Sequence, residues 1–177
     1  MKNLILLNIY DKNLQYFINT FCETYHIKNP SLIPHVTLQG PFLKEKRKSF
    51  STTKTAIKLN HYTKTINKRD KSIQINGVGI FENNHTYVIY LKVNPDKELK
   101  MVTNKTDYPI RKYGFNPHIT IATTKNKNQA ISIKKELENN NINFNCYKVD
   151  WNTHIIRGNK NLFNIWQNLK TMSLVLK

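Results

Sequence analysis

A five-residue pattern occurs twice in this chain, and it limits the possible folds more than any other feature. Pro34-His35-Val36-Thr37-Leu38 and Pro117-His118-Ile119-Thr120-Ile121 both read proline, histidine, aliphatic, threonine, aliphatic. From average residue usage, one such pattern arises by chance in roughly 1 in 10³ to 10⁴ chains of this length. Two copies therefore indicate a duplicated unit, with one copy in each half of the fold.

The alternation within each copy predicts a strand with one polar face. Residues two apart in a strand point to the same side, so His35 and Thr37 project together while Val36 and Leu38 enter the core. The second copy presents His118 and Thr120 in the same way. If the two halves pack about a pseudo-twofold axis, both His–Thr pairs line one central cleft.

Such a cleft suits the cleavage of a phosphodiester. One histidine would take a proton from water or a ribose hydroxyl, and the other would protonate the departing oxygen. Imidazole has an unperturbed pKa of about 6.5, so near neutral pH one ring can be neutral while its partner is charged. The hydroxyls of Thr37 and Thr120 can bind the non-bridging phosphate oxygens. We therefore predict His35, His118, Thr37 and Thr120 as the catalytic residues.

The rest of the chain alternates between strand and helix patterns without a long linker. Strands are predicted at residues 4–10, 36–42, 72–80, 86–93 and 119–122, followed by a hairpin of 144–151 and 153–157. Helices are predicted from the N-cap Asp11, at 51–59, from Pro95 toward Asn104, and at 129–137. These patterns predict one compact α+β domain over residues 1–177.

The charge of the chain indicates a polyanionic partner. Lys and Arg total 28 against 11 Asp and Glu, for a formal net charge of +17. Such a surplus attracts RNA or an oligonucleotide. The alternative is a lysine-rich solvated surface that only reflects biased residue usage.

No metal, cofactor or membrane is expected from the sequence. The remaining histidines show no ligand spacing, and Cys22 and Cys146 form no CxxC pattern. The apolar run at 4–7 is too short for the core of a signal peptide, and nothing approaches the roughly 20 apolar residues of a membrane span. We expect a cytoplasmic protein, and we expect a monomer although the sequence leaves the oligomeric state open.

The duplicated motif and its surroundings resemble the 2H phosphoesterase superfamily, especially the bacterial proteins called 2′-5′ RNA ligases and their cyclic phosphodiesterase relatives. The resemblance covers most of the chain. It includes the opening aliphatic strand, the continuation 38–42 of the first motif, and the lead-in 113–117 to the second. Thr123-Thr124-Lys125 differs from the Arg-Asp-like continuation of many bacterial relatives, which leaves the substrate subclass open.

The resemblance implies a bilobal α+β fold with two antiparallel sheets, helices outside and one His-x-Thr motif from each lobe. It implies that His35 and His118 are the catalytic pair, that Thr37 and Thr120 bind phosphate, and that no metal is needed. Substrates would be 2′,3′-cyclic phosphates, 2′-5′ linkages, or cyclic and oligomeric nucleotides.

Three further residues are candidates for binding substrate. Gln39 is predicted to continue the face of His35 and Thr37, Phe42 could stack on a base, and Arg157 could meet phosphate. Three other functions fit the sequence: a basic RNA-binding module that keeps the fold without turnover, an RNA 2′-5′ ligase, and a scavenger of nucleotide signals that degrades cyclic or 2′-5′-linked oligonucleotides.

Overall fold

The computed structural model describes residues 2–43, 54–83, 85–104 and 115–156. Within these residues the chain forms seven strands and four helices. In chain order they are β1 (Lys2–Ile9), α1 (Lys12–Thr24), β2 (His35–Leu43), α2 (Lys54–Asn67), β3 (Ile73–Asn83), β4 (Thr86–Asn94), α3 (Lys97–Asn104), β5 (His118–Thr124), α4 (Lys127–Asn139), β6 (Asn143–Cys146) and β7 (Val149–Ile156).

The strands form two antiparallel sheets. One has three strands in the order β2-β1-β7, and the other has four in the order β5-β4-β3-β6. Side chains from both sheets and from the helices share one cluster of buried apolar residues. The predicted α+β class with two antiparallel sheets is confirmed.

Helix α1 begins where the sequence predicts. The Asp11 side chain accepts a hydrogen bond of 2.8 Å from the backbone N–H of Leu14, which satisfies one amide of the first turn. The buried stripe of the helix consists of Leu14, Ile18, Phe21 and Cys22. The Cys22 thiol lies 3.5 Å from the carbonyl of Ile121, so the helix of the first half touches the motif strand of the second.

The two halves repeat the same unit. In each, a strand and a helix lead to a motif strand that pairs antiparallel with the first strand: β1–α1–β2 and β4–α3–β5. The proline of each motif accepts an equivalent backbone hydrogen bond, from Ile9 to Pro34 at 2.8 Å and from Val93 to Pro117 at 3.2 Å. The duplication seen in the sequence therefore extends to the backbone around both histidines.

The predicted hairpin of 144–151 and 153–157 is wrong. Strand β6 pairs with β3 in the four-stranded sheet, whereas β7 pairs with β1 in the three-stranded one. The chain passes from one sheet to the other at Tyr147-Lys148, between the two strands. Alternation of apolar residues identifies strands but not their partners, so the sequence suggested the nearest neighbour.

Helix α2 continues to Asn67, beyond the predicted end at residue 59, and it covers β7. The Asn67 amide donates to the carbonyl of Val149 and accepts from its N–H, both at 2.8 Å. The Trp151 indole donates to the Asn60 side chain at 2.8 Å. Within the described ranges, no helix is long and apolar enough to cross a membrane.

Candidate active site

Both motif histidines are held by the same backbone contact. His35 Nδ1 lies 3.0 Å from the carbonyl oxygen of Ile33, and His118 Nδ1 lies 2.8 Å from that of Asn116. A carbonyl oxygen can only accept, so Nδ1 carries the proton in each contact. The neutral form of each ring therefore has its lone pair on Nε2. The two halves fix the same tautomer through the carbonyl two residues before the histidine.

A β-bulge follows each His-x-Thr motif at the same position. Thr37 lies opposite Leu6, and Gln39 lies opposite the preceding residue of β1, Ile5. Leu38 is therefore an extra residue in β2. In the second half, Thr120 lies opposite Tyr90 and the bulge leaves Ile121 as the extra residue. Bulges are frequent beside active sites, where they direct a side chain and end the regular pairing.

The two histidines are close enough for their charges to interact. Strand β2 packs against β5. Burial lowers the pKa of His35 to about 4, outweighing the hydrogen bond to Ile33, and positive charge on His154 or His118 would lower it further. The two sheets therefore bring the two motifs to one site.

The environments of the two histidines nevertheless differ. His35 is 8% exposed, whereas His118 is partly exposed. A buried ring resists protonation because burial disfavours its charged form. This asymmetry allows one histidine to start as the neutral base and the other as the acid.

An aromatic wall of Phe81 and Tyr90 holds the His118 ring. Their ring centroids lie 4.9 and 5.1 Å from that of His118, both edge-on, and the two aromatic rings stack on each other at 4.1 Å. Gly79 lies directly opposite Tyr90 across the β3–β4 pair, and a Cβ there would come within 2.2 Å of the phenol ring. The missing side chain at Gly79 makes room for this wall.

His154 belongs to neither motif, and its sequence context predicts no metal-ligand role, but it is a third histidine of the site. It lies opposite Leu4, and burial lowers its pKa. Along β1, Leu4, Leu6 and Asn8 share one face and pair with His154, Thr37 and His35 respectively. Only the pairing of β7 with β1, which local sequence does not reveal, brings His154 to this face.

The structure changes the expectation for Gln39. The bulge after Thr37 places Gln39 opposite Ile5, whereas Thr37 lies opposite the neighbouring Leu6. The alternation that predicted a shared face is therefore broken, and Gln39 is only 3% exposed. The assumption that Gln39 continues the face of His35 and Thr37 is wrong, and its contact with substrate stays a prediction.

The other two candidate residues stay predictions as well. Phe42 lies in β2 opposite Asn3. Arg157 lies outside the described residues. Among the residues that the structure describes, no three or more His, Cys, Asp or Glu side chains gather in a group that could hold a metal ion.

Comparison with known proteins matches the chain to a family. A family model described as the 2′-5′ RNA ligase superfamily matches residues 11–154, a span that contains both His-x-Thr motifs, the aromatic wall and His154. No curated protein matches the chain.

Proposed function

The chain belongs to the 2′-5′ RNA ligase superfamily, and from this we propose that it is a metal-independent phosphodiesterase that cleaves RNA-like phosphodiesters with His35 and His118 as base and acid. The superfamily is generally enzymatic and is linked to RNA or oligonucleotide substrates. Its membership supports activity of the phosphodiesterase or RNA ligase type. The observation that carries the finer proposal is the matched pair of rings, each fixed by the carbonyl two residues earlier.

In the proposed reaction His35 begins neutral and His118 begins protonated. Burial of His35, together with the positive charge of a protonated His118, favours the neutral form of His35, which supports its role as the base. Nε2 of His35 takes a proton from water as the water oxygen bonds to phosphorus. His118 gives a proton to the ribose oxygen as its bond to phosphorus breaks. Thr37 and Thr120 donate to the non-bridging oxygens, where charge builds up.

The same two proton transfers, with a 5′-hydroxyl in place of water as the group that bonds to phosphorus, would join that hydroxyl to a 2′,3′-cyclic phosphate. Water is present at far higher concentration than a second RNA end, so hydrolysis is the expected direction.

The proposal is tested by turnover in EDTA on four compounds. These are 2′,3′-cyclic AMP, an RNA ending in a cyclic phosphate, 2′-5′ oligoadenylate and a cyclic dinucleotide. We expect cleavage of at least one, at a rate that EDTA does not change. Loss of activity in EDTA that zinc or manganese restores would refute the metal-free mechanism. No turnover of any of the four compounds, together with tight and salt-sensitive binding of RNA, would favour the RNA-binding module.

The lowered pKa of His35 predicts the acid side of the pH profile. Because the base must be neutral, kcat/KM should fall only as the pH drops through about 4. A bound phosphodiester is anionic and favours the imidazolium, so the acid limb of kcat should lie at higher pH than that of kcat/KM. An acid limb of kcat/KM near the ordinary histidine value of 6.5 would contradict a buried base.

The lowered pKa of His35 also affects the free energy of unfolding. A loss of activity at low pH must therefore be distinguished from unfolding of the protein. His35 takes up a proton more readily in the unfolded chain, at 6.5, than in the folded one, at about 4. Its contribution to stability is therefore complete above pH 6.5 and is lost as the pH falls through about 4. Circular dichroism across pH 3 to 7 separates loss of the base from unfolding.

A further inference from the structure

The sheet face that carries His118 extends well beyond the histidine. Along β4, Ile89, Leu91 and Val93 are buried in the core, and the alternate residues point to the opposite side. On that side Lys92 lies directly opposite His118 on the neighbouring strand. The site and the rest of this face are therefore continuous.

The exposed part of this face is made almost entirely of amides. Register places six exposed side chains on it: Gln74, Asn76, Lys92, Asn94, Asn143 and Asn145. We refer to these six residues as the amide face. None of them makes a side-chain hydrogen bond to any other described residue, and none is a carboxylate. Their side-chain hydrogen-bond donors and acceptors are therefore exposed to solvent.

A hollow of about 450 Å³ opens where β3 bulges, between the amide face and the end of α4. Asn76, Lys92 and Asn143 line it together with Gly77, whose φ of 76° belongs to the left-handed region. A Cβ on Gly77 would lie 3.6 Å from Lys92 Cδ, so the lysine stem runs past the bare backbone.

One acidic side chain also borders the hollow. Glu138 lines it, but its carboxylate is paired with Lys134 at 2.6 Å. The hollow therefore offers the Lys92 ammonium and several amides beside a carboxylate whose charge is already compensated. This combination favours an anionic ligand with hydrogen-bonding edges.

We propose that the amide face binds the nucleotides upstream of the cleaved phosphate, so that the preferred substrate is a single-stranded oligonucleotide and not a mononucleotide. The inference rests on the proposed function. Asparagine and glutamine amides both donate and accept, as the edges of unpaired bases do. Lys92 supplies a point charge for a phosphate. From β5 to β6 the face spans three strand spacings, roughly 14 Å, which exceeds the length of one nucleotide.

The test compares substrate lengths. kcat/KM is measured for 2′,3′-cyclic AMP and for an RNA tetranucleotide that ends in the same cyclic phosphate. The variant is Asn76→Ala/Lys92→Ala/Asn143→Ala. Asparagine and lysine are common throughout this chain, so the matched control is Asn128→Ala/Lys135→Ala/Asn139→Ala, three exposed residues of helix α4.

The wild type should prefer the tetranucleotide by about tenfold or more, the worth of one or two net hydrogen bonds. The amide-face variant should lose most of that preference, and the control variant should keep it. A wild type without a length preference, or an amide-face variant that keeps the preference, would overturn the inference while leaving the proposed function intact. A wild type that cleaves neither of these two compounds would overturn the inference, and one that cleaves none of the four compounds of the panel would refute the proposed function with it.

Discussion

His35→Ala or His118→Ala should lower kcat by about 10² to 10⁴, the usual contribution of a positioned acid or base. Each substitution removes one of the two proton transfers and leaves the phosphate-binding threonines in place. The two variants should also differ in pH dependence. Loss of His35 removes the acid limb of the profile, and loss of His118 removes the alkaline limb. Steady-state kinetics from pH 3 to 9 on the cleaved substrate measure both effects.

The control for these variants is His61→Ala. His61 lies exposed on α2, away from the motif strands, so its removal should leave kcat unchanged. Wild-type activity in both single variants would disprove the two-histidine mechanism. A pH profile in which His35→Ala loses only the alkaline limb would reverse the assignment of base and acid.

Gly79→Ala should also cause a large loss of activity. The new methyl group would lie 2.2 Å from the Tyr90 ring, which is 7% exposed and stacked on Phe81. The ring must therefore move, and its edge-on contact with His118 changes with it. Misplacement of a catalytic group by about 1 Å can cost about 10²-fold in rate. Overpacking should lower the free energy of unfolding by about 1–3 kcal/mol. Kinetics and urea denaturation measure the two effects.

Introducing Gly79→Ala into a Tyr90 variant shows whether contact with the Tyr90 ring causes the loss of activity. Tyr90→Leu removes the phenol ring that the methyl group would meet, so Gly79→Ala should have little further effect on kcat in that variant. Tyr90→Phe keeps the ring and should retain activity. An equal loss from Gly79→Ala with and without the Tyr90 ring would show that the glycine acts in another way.

The local features of the fold could be predicted from the sequence because they depend on short-range chemistry. The Asp11 cap, the stripe of α1 and the alternation around both histidines each appear within a few residues. The duplicated motif also indicated that two histidines would meet. These features are fixed by propensity and periodicity, which the sequence displays directly.

The features that the sequence did not reveal depend on pairing between distant strands. Alternation alone could not show that Leu38 and Ile121 form bulges, and Gln39 was misplaced for that reason. His154 reaches the site only because β7 pairs with β1.

Packing partners explain the remaining differences. In the sequence Gly79 is only a glycine within a predicted strand. The structure shows that the Tyr90 ring occupies the space that a side chain at position 79 would need. The unequal burial of His35 and His118 likewise follows from the packing around nearly identical motifs.

The central claim is that His35 and His118 together cleave a phosphodiester without a metal. The most direct measurement is turnover of the four-compound panel in EDTA by the wild type, by His61→Ala and by the double variant His35→Ala/His118→Ala. We expect the wild type and His61→Ala to cleave the same compound at the same rate, and the double variant to be at least about 10²-fold slower. A double variant that cleaves as fast as the wild type would contradict the claim.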